Sequence, residues 1–115
     1  MNTKYEKQMK KGVLEMLVLR LLAEKEKYGY QLISELKESG DGMFTLKEGT
    51  LYPILYRLEE DGLVTNYWST PEGKSVSKKY YRITEQGTET LEELKVLWDT
   101  FSNRVNQILM GDEEK

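Results

Sequence analysis

The 115-residue chain has no cysteine and no histidine. Disulfides, thiolate nucleophiles, Cys/His zinc sites and imidazole acid–base chemistry are thereby excluded. There are only two prolines, Pro53 and Pro71, and no low-complexity linker, so one small unit is expected. No apolar run approaches the roughly 20 residues of a membrane span. The N-terminus carries no apolar signal segment, so a cytoplasmic protein without a membrane partner is expected. Phosphate-binding glycine loops, EF-hand loops and nucleophile–base pairs are missing as well. The chain is therefore not expected to be an enzyme, nor to carry a metal or a cofactor.

Acidic residues outnumber basic ones by 20 to 17, which at first sight argues against nucleic acid as a partner. The imbalance is uneven. Residues 1–83 hold 14 basic and 12 acidic side chains, whereas residues 84–115 hold 3 and 8. Over residues 64–83, Lys74, Lys78, Lys79 and Arg82 stand against Glu72 alone. Binding to phosphate follows such local patches more than the total charge. Apolar residues make up 38% of the chain, enough for a small core, so association into an oligomer is expected to bury more.

Periodicity supplies the elements. Residues 1–11 are polar and basic, with Tyr5 and Met9 at i, i+4, and read as a short helix docked on another surface. "GVLEMLVLRLLAEK" (12–25) is apolar nearly all round and reads as the buried central helix. "KYGYQLISELKESG" (27–40) opens a helix after Gly29, with Leu32, Ile33 and Leu36 on one face and Gly40 and Gly42 ending it. Thr45 and Glu48 have capping-box spacing, which predicts the next helix from near Leu46. Leu51, Leu55 and Leu58 form its inner stripe, and Gly62 is its left-handed cap. "LVTNYWS" (63–69) and "KKYYRIT" (78–84) are rich in β-formers and flank "TPEGKSVS", which predicts a hairpin. Trp68, on its first strand, is expected to pack the hairpin onto the body. Thr84 caps a last long helix, in which Leu91, Leu94, Trp98, Phe101, Val105 and Ile108 form a heptad seam.

Three helices followed by a two-stranded hairpin make a winged helix-turn-helix, whose third helix enters the major groove. The expected fold is mostly α with a small β-hairpin: a winged helix-turn-helix over 1–84, a dimerisation helix over 85–111 and a disordered acidic tail over 112–115. The seam, with Tyr5 and Met9, is the expected dimer interface. The third helix carries Gly49 and Pro53 in its opening turns, where both weaken it. With the leucine stripe inward, Gly49, Pro53, Tyr56 and Glu60 point outward, flanked by Thr50, Tyr52 and Arg57. Gly49 lets a DNA backbone or base edge approach closely. Thr50 suits a phosphate or a thymine methyl, and Tyr52 a phosphate. In the alternative reading, Gly-Thr and Tyr-Pro only set the direction in which the chain joins the helix.

"YGYQLISEL", "EGTLYPILYRLEEDGLV" and "KKYYRITEQG" together resemble the signature segments of PadR-type transcriptional regulators, in order and spacing. The resemblance covers about residues 12–90, and the single helix after the wing resembles the short subfamily. It implies a homodimeric repressor on a palindromic double-stranded DNA operator, released by a small molecule. By position, it places DNA contacts on Tyr30, on Lys47 to Pro53, and on the wing around Lys74, Lys78 and Lys79. Short multidrug-sensing members of the family stack flat aromatic molecules against a tryptophan of the last helix. Trp98 occupies the corresponding place, with Asp99 and Ser102 as polar contacts; the competing reading makes Trp98 interface core. A winged-helix protein-interaction module that never binds DNA is the alternative from another functional class.

Overall fold

The structure, a computed structural model, describes residues 3–70 and 76–111. Helix α1 (Thr3–Lys11) leads into α2 (Leu14–Glu24), followed by a two-residue strand β1 (Lys27–Tyr28) and α3 (Gly29–Ser39). Then come α4 (Glu48–Glu60), strands β2 (Val64–Trp68) and β3 (Lys79–Ile83), and α5 (Glu85–Met110). Lys74 and the acidic tail over 112–115 lie outside the described residues.

The core assembles around α2, as its all-round apolar pattern requires. Val18, Leu19 and Leu22 are buried there against Leu32 and Leu36 of α3 and Leu51, Leu55 and Leu58 of α4. Helix α4 ends in a tight capping motif. Gly62 adopts φ +76°, the Leu63 N–H donates to the Leu58 carbonyl at 2.9 Å, and the Gly62 N–H donates to Glu59 at 3.0 Å. This left-handed turn reverses the chain into β2, as the glycine predicted. Thr84 caps α5, its hydroxyl oxygen accepting from the Gly87 N–H at 3.0 Å. Its own N–H donates to the Leu63 carbonyl at 3.0 Å, fastening α5 to the end of α4.

Two expectations are corrected here. The sheet has three antiparallel strands in the order β1-β3-β2, not two. Strand β1 sets Lys27 opposite Tyr81 and Tyr28 opposite Tyr80, and two residues are too few to show a period in sequence. Helix α4 begins at Glu48 rather than near Leu46, with Lys47 at the cap and no side-chain capping bond. The expected capping box is not made, because the Thr45 hydroxyl donates back to the Gly42 carbonyl at 2.8 Å, closing the preceding turn.

One charge lies in the core. Lys27 is buried, and its ammonium meets Glu24 of α2 at 3.5 Å and Glu35 of α3 at 3.3 Å. A buried cation is tolerated only with such partners, so this triad ties the strand to both helices.

Candidate nucleic-acid interface

The opening turns of α4 present Lys47, Gly49, Thr50 and Pro53 to solvent, and Tyr30 is exposed at the start of α3. These five lie on the outer side of the helix-turn-helix unit, where the sequence placed them. The glycines of the fold separate into two kinds. A Cβ at Gly87 would collide with the Leu63 backbone, and one at Gly29 would lie 2.6 Å from the Tyr52 hydroxyl. Around Gly49 there is nothing within 4 Å, and its φ is not in the left-handed region. Nothing within the described chain requires a glycine at 49, although glycine in a helix costs about 1 kcal/mol relative to alanine.

Two of the predicted contacts are placed differently. Tyr52 is half-buried and packs on the core, with its hydroxyl over Gly29. It sets the distance between α3 and α4 instead of projecting outward, because its position in the helix turns it toward α3. Arg57 is exposed, but its Nε donates to Glu15 of α2 at 2.9 Å, so its head group is turned to the body.

The wing cations are held by aromatic rings. The Lys78 ammonium stands 4.4 Å from the centre of the Tyr28 ring, and that of Lys79 stands 5.6 Å from Tyr81 and 6.0 Å from Tyr56. An ammonium over the face of an aromatic ring is attracted by its quadrupole, which favours these positions. Behind the wing, Tyr80 stacks on Tyr67 at 5.5 Å and meets Tyr28 edge-on at 5.4 Å. Glu26 accepts from the Tyr67 hydroxyl at 2.5 Å and from Arg82 Nε at 2.8 Å, clasping both strands to the segment before β1. The hydrogen bond from Tyr67, then that from Arg82, lowers the Glu26 pKa. The bond to Glu26 raises that of Tyr67. Tyr81, on the opposite face, is pushed up to about 12 by burial, with Glu59, Tyr52 and Tyr56 adding to the shift.

Trp68 corrects an expectation. It does not pack the wing onto the body; it is 64% exposed. It lies at the last position of β2 opposite Lys79, beyond the reach of the core. Tyr56 of α4, which the sequence reading turned outward but left out of the DNA-contacting set, is exposed as well. The signal was present in the pairing parity of the strands, which puts residue 68 on the α4 side of the sheet.

The seam of α5 divides at its second turn. Leu91 is 2% exposed and belongs to the chain's own core, and Leu94 packs against it. Leu91 is therefore corrected from interface to core, because the first turns of α5 lie on α2. Beyond them Phe101 is 58% and Ile108 81% exposed, and Val105, Tyr5 and Met9 are exposed as well. An apolar groove of about 590 Å³ runs between α5 and the α1–α2 junction, lined by Met9, Val13, Met16, Trp98, Phe101 and Ser102 among others. The rings of Trp98 and Phe101 stand 6.4 Å apart. Asp99 does not line the groove, since its side chain points away around the helix, and the Ser102 hydroxyl donates to the Asp99 carbonyl at 3.3 Å. No group of three or more acidic side chains among the described residues is placed to hold a metal ion.

The model of the transcriptional regulator PadR-like family matches residues 18–93. The solved structure of a PadR family transcriptional regulator from Eggerthella lenta is 33% identical, with a TM-score of 0.83, covering 96% of this chain and 93% of that one. A PadR-like transcriptional regulator from Bacillus cereus is 37% identical, with a TM-score of 0.76, over 91% and 99%. The negative transcriptional regulator PadR of Bacillus subtilis is 32% identical over 81 residues, 70% of this chain but 44% of that protein. The chain thus spans less than half the length of that relative.

Proposed function

The chain belongs to the PadR-like family of transcriptional regulators and is a DNA-binding regulator; on that premise we propose a homodimeric repressor that reads its operator with the start of α4 and is released by a planar aromatic ligand. Gly49 carries the DNA part of this reading. A residue that weakens its own helix and meets no neighbour has its reason outside the chain, and a close approach to a groove edge supplies one. Tyr30, Lys47, Thr50 and Pro53 surround it, with Lys78 and Lys79 on the flanking wing. The adaptor alternative has no observation in its favour.

The exposed apolar half of α5 supports dimerisation, since a monomer rarely leaves such a stripe uncovered. The Bacillus subtilis relative is a negative transcriptional regulator, which supports repression. The groove beside Trp98 has the size and apolar lining of a small-molecule site, and Ser102 offers one polar group.

The test is Gly49→Ala, assayed on the duplex immediately upstream of the gene. Folding should be intact, with stability raised by up to about 1 kcal/mol. Specific affinity should fall by roughly tenfold or more. An unchanged affinity removes α4 from the groove. For the ligand, a planar aromatic cation should quench tryptophan fluorescence and release the duplex, and Trp98→Ala should abolish the release.

A further inference from the structure

An exposed tryptophan needs a reason on a sheet whose other aromatic side chains are half-buried or buried, and so does an exposed tyrosine on the helix that packs against that sheet. Trp68 is 64% and Tyr56 54% exposed. Both belong to the side on which the sheet faces α4. The orientation follows from pairing. Trp68 opposes Lys79 in the register, so the two share a sheet face, and the Lys79 ammonium lies 6.0 Å from the Tyr56 ring on α4. Asn66, two residues before Trp68 and on the same face, donates to Glu59 of α4 at 2.9 Å. Tyr81 shares this face, and its hydroxyl is buried with no hydrogen-bond partner among the described residues. Glu59 is half-buried and is held by Asn66.

Lys79, opposite Trp68 and near the Tyr56 ring, joins the two exposed aromatics into a set of three donors: the Lys79 ammonium, the Tyr56 hydroxyl and the indole N–H of Trp68. Two elements that enter neighbouring grooves of a duplex must straddle the sugar–phosphate strand between those grooves. With α4 in the major groove and the wing in the adjoining minor groove, that strand runs between Tyr56 on α4 and Trp68 on the wing. We infer that Tyr56, Trp68 and Lys79 form a backbone clamp that grips the sugar–phosphate ridge between the two grooves, Lys79 and Tyr56 bonding phosphate and the Trp68 ring lying on a deoxyribose. This rests on the DNA-binding reading above and adds Trp68 and Tyr56 to it. The clamp reads no base; it fixes how deep α4 sits.

The experiment uses the full chain labelled with 5-fluorotryptophan, whose two fluorine resonances arise from Trp68 and Trp98 and are assigned with Trp68→Phe. The probe is a 30-base-pair mixed-sequence duplex at low salt, with binding followed separately by anisotropy of a dye on the DNA. On saturation, the Trp68 resonance should lose most of its solvent isotope shift. Trp68→Ala should weaken binding by roughly tenfold without altering the slope of log K against log salt, because the lost contacts are uncharged. Lys79→Gln should flatten that slope by about 0.9. A bound duplex that leaves Trp68 as open to solvent as before, or an unaltered affinity in a folded Trp68→Ala, overturns the clamp and leaves α4 recognition standing. Absence of any duplex binding overturns both.

Discussion

The body built on α2 and the outer half of α5 use similar apolar periodicities to opposite ends. In the body, Leu32, Leu36, Leu51, Leu55 and Leu58 close on one another, and even the buried Lys27 has two carboxylates. On α5, the same spacing beyond Leu94 is left largely uncovered by the described chain, and Phe101 and Ile108 face solvent. Spacing shows which face of a helix is apolar, but not whether the chain covers that face itself. Where it does not, the residues are available to a second molecule.

Breaking the open region should change assembly and leave the body alone. Phe101→Asp with Ile108→Asp is expected to raise a dimer's dissociation constant at least about a hundredfold, from the loss of two buried apolar side chains of roughly 1.5–3 kcal/mol each. Sedimentation velocity should show monomers whose helical circular dichroism melts nearly as before. Persistent dimers would place the interface elsewhere.

Breaking the closed region should do the reverse. A methyl at Gly87 would meet the unyielding Leu63 backbone and the Ile83 side chain, so Gly87→Ala is expected to cost about 3 kcal/mol or more. A urea titration should show it as a lower midpoint, and a midpoint equal to wild type would mean that α5 shifts freely on the body. Smaller still is Arg57→Ala, which removes one largely solvated ion pair with Glu15. Less than about 1 kcal/mol should be lost. A larger loss in thermal denaturation would show that the pair braces α4 against α2.

The smallest effects are those of pH. Glu26 has a folded pKa below its ordinary value of 4.5, so its bonds to Tyr67 and Arg82 stabilise the fold above that value. That contribution is lost as pH falls through the folded pKa. Glu26→Gln should lower the melting temperature at neutral pH and converge with wild type as pH falls through the folded pKa, which flattens the acid limb. Tyr81 has the opposite sign. Its folded pKa of about 12 exceeds its ordinary 10, so its contribution is complete below pH 10 and lost as pH rises through 12. Tyr81 should ionise late in a spectrophotometric titration.

The legibility of these features in the sequence follows the range of the forces behind them. The helices, the Gly62 turn and the Thr84 cap are set by neighbours within a few residues and could be read directly. Strand β1 exists because β3, more than 50 residues later, pairs with it. Tyr52 was turned outward by a helical wheel, which knows nothing of Gly29. Thr45 was matched to Glu48 by spacing, while the Gly42 carbonyl lay nearer. Lys47, Gly49, Thr50 and Pro53 stayed outward as read because the leucine stripe opposite them fixes the roll of α4. Trp68 was assigned to the body because large aromatics are usually covered, and only the pairing with Lys79 reveals which side it faces.

The length of α5 carries a mechanical consequence. Its 26 residues span about 39 Å, and its first turns are fixed to the body by Gly87 and Leu91. In a dimer joined along its outer half, the helix is a lever with the winged head at its end. A tilt of about 5° at the far end would carry α4 through roughly 3.4 Å, one base step along the duplex. A ligand seated beside Trp98 would act on the DNA by changing that angle. The operator would then register it as a full base pair of misalignment in each half-site.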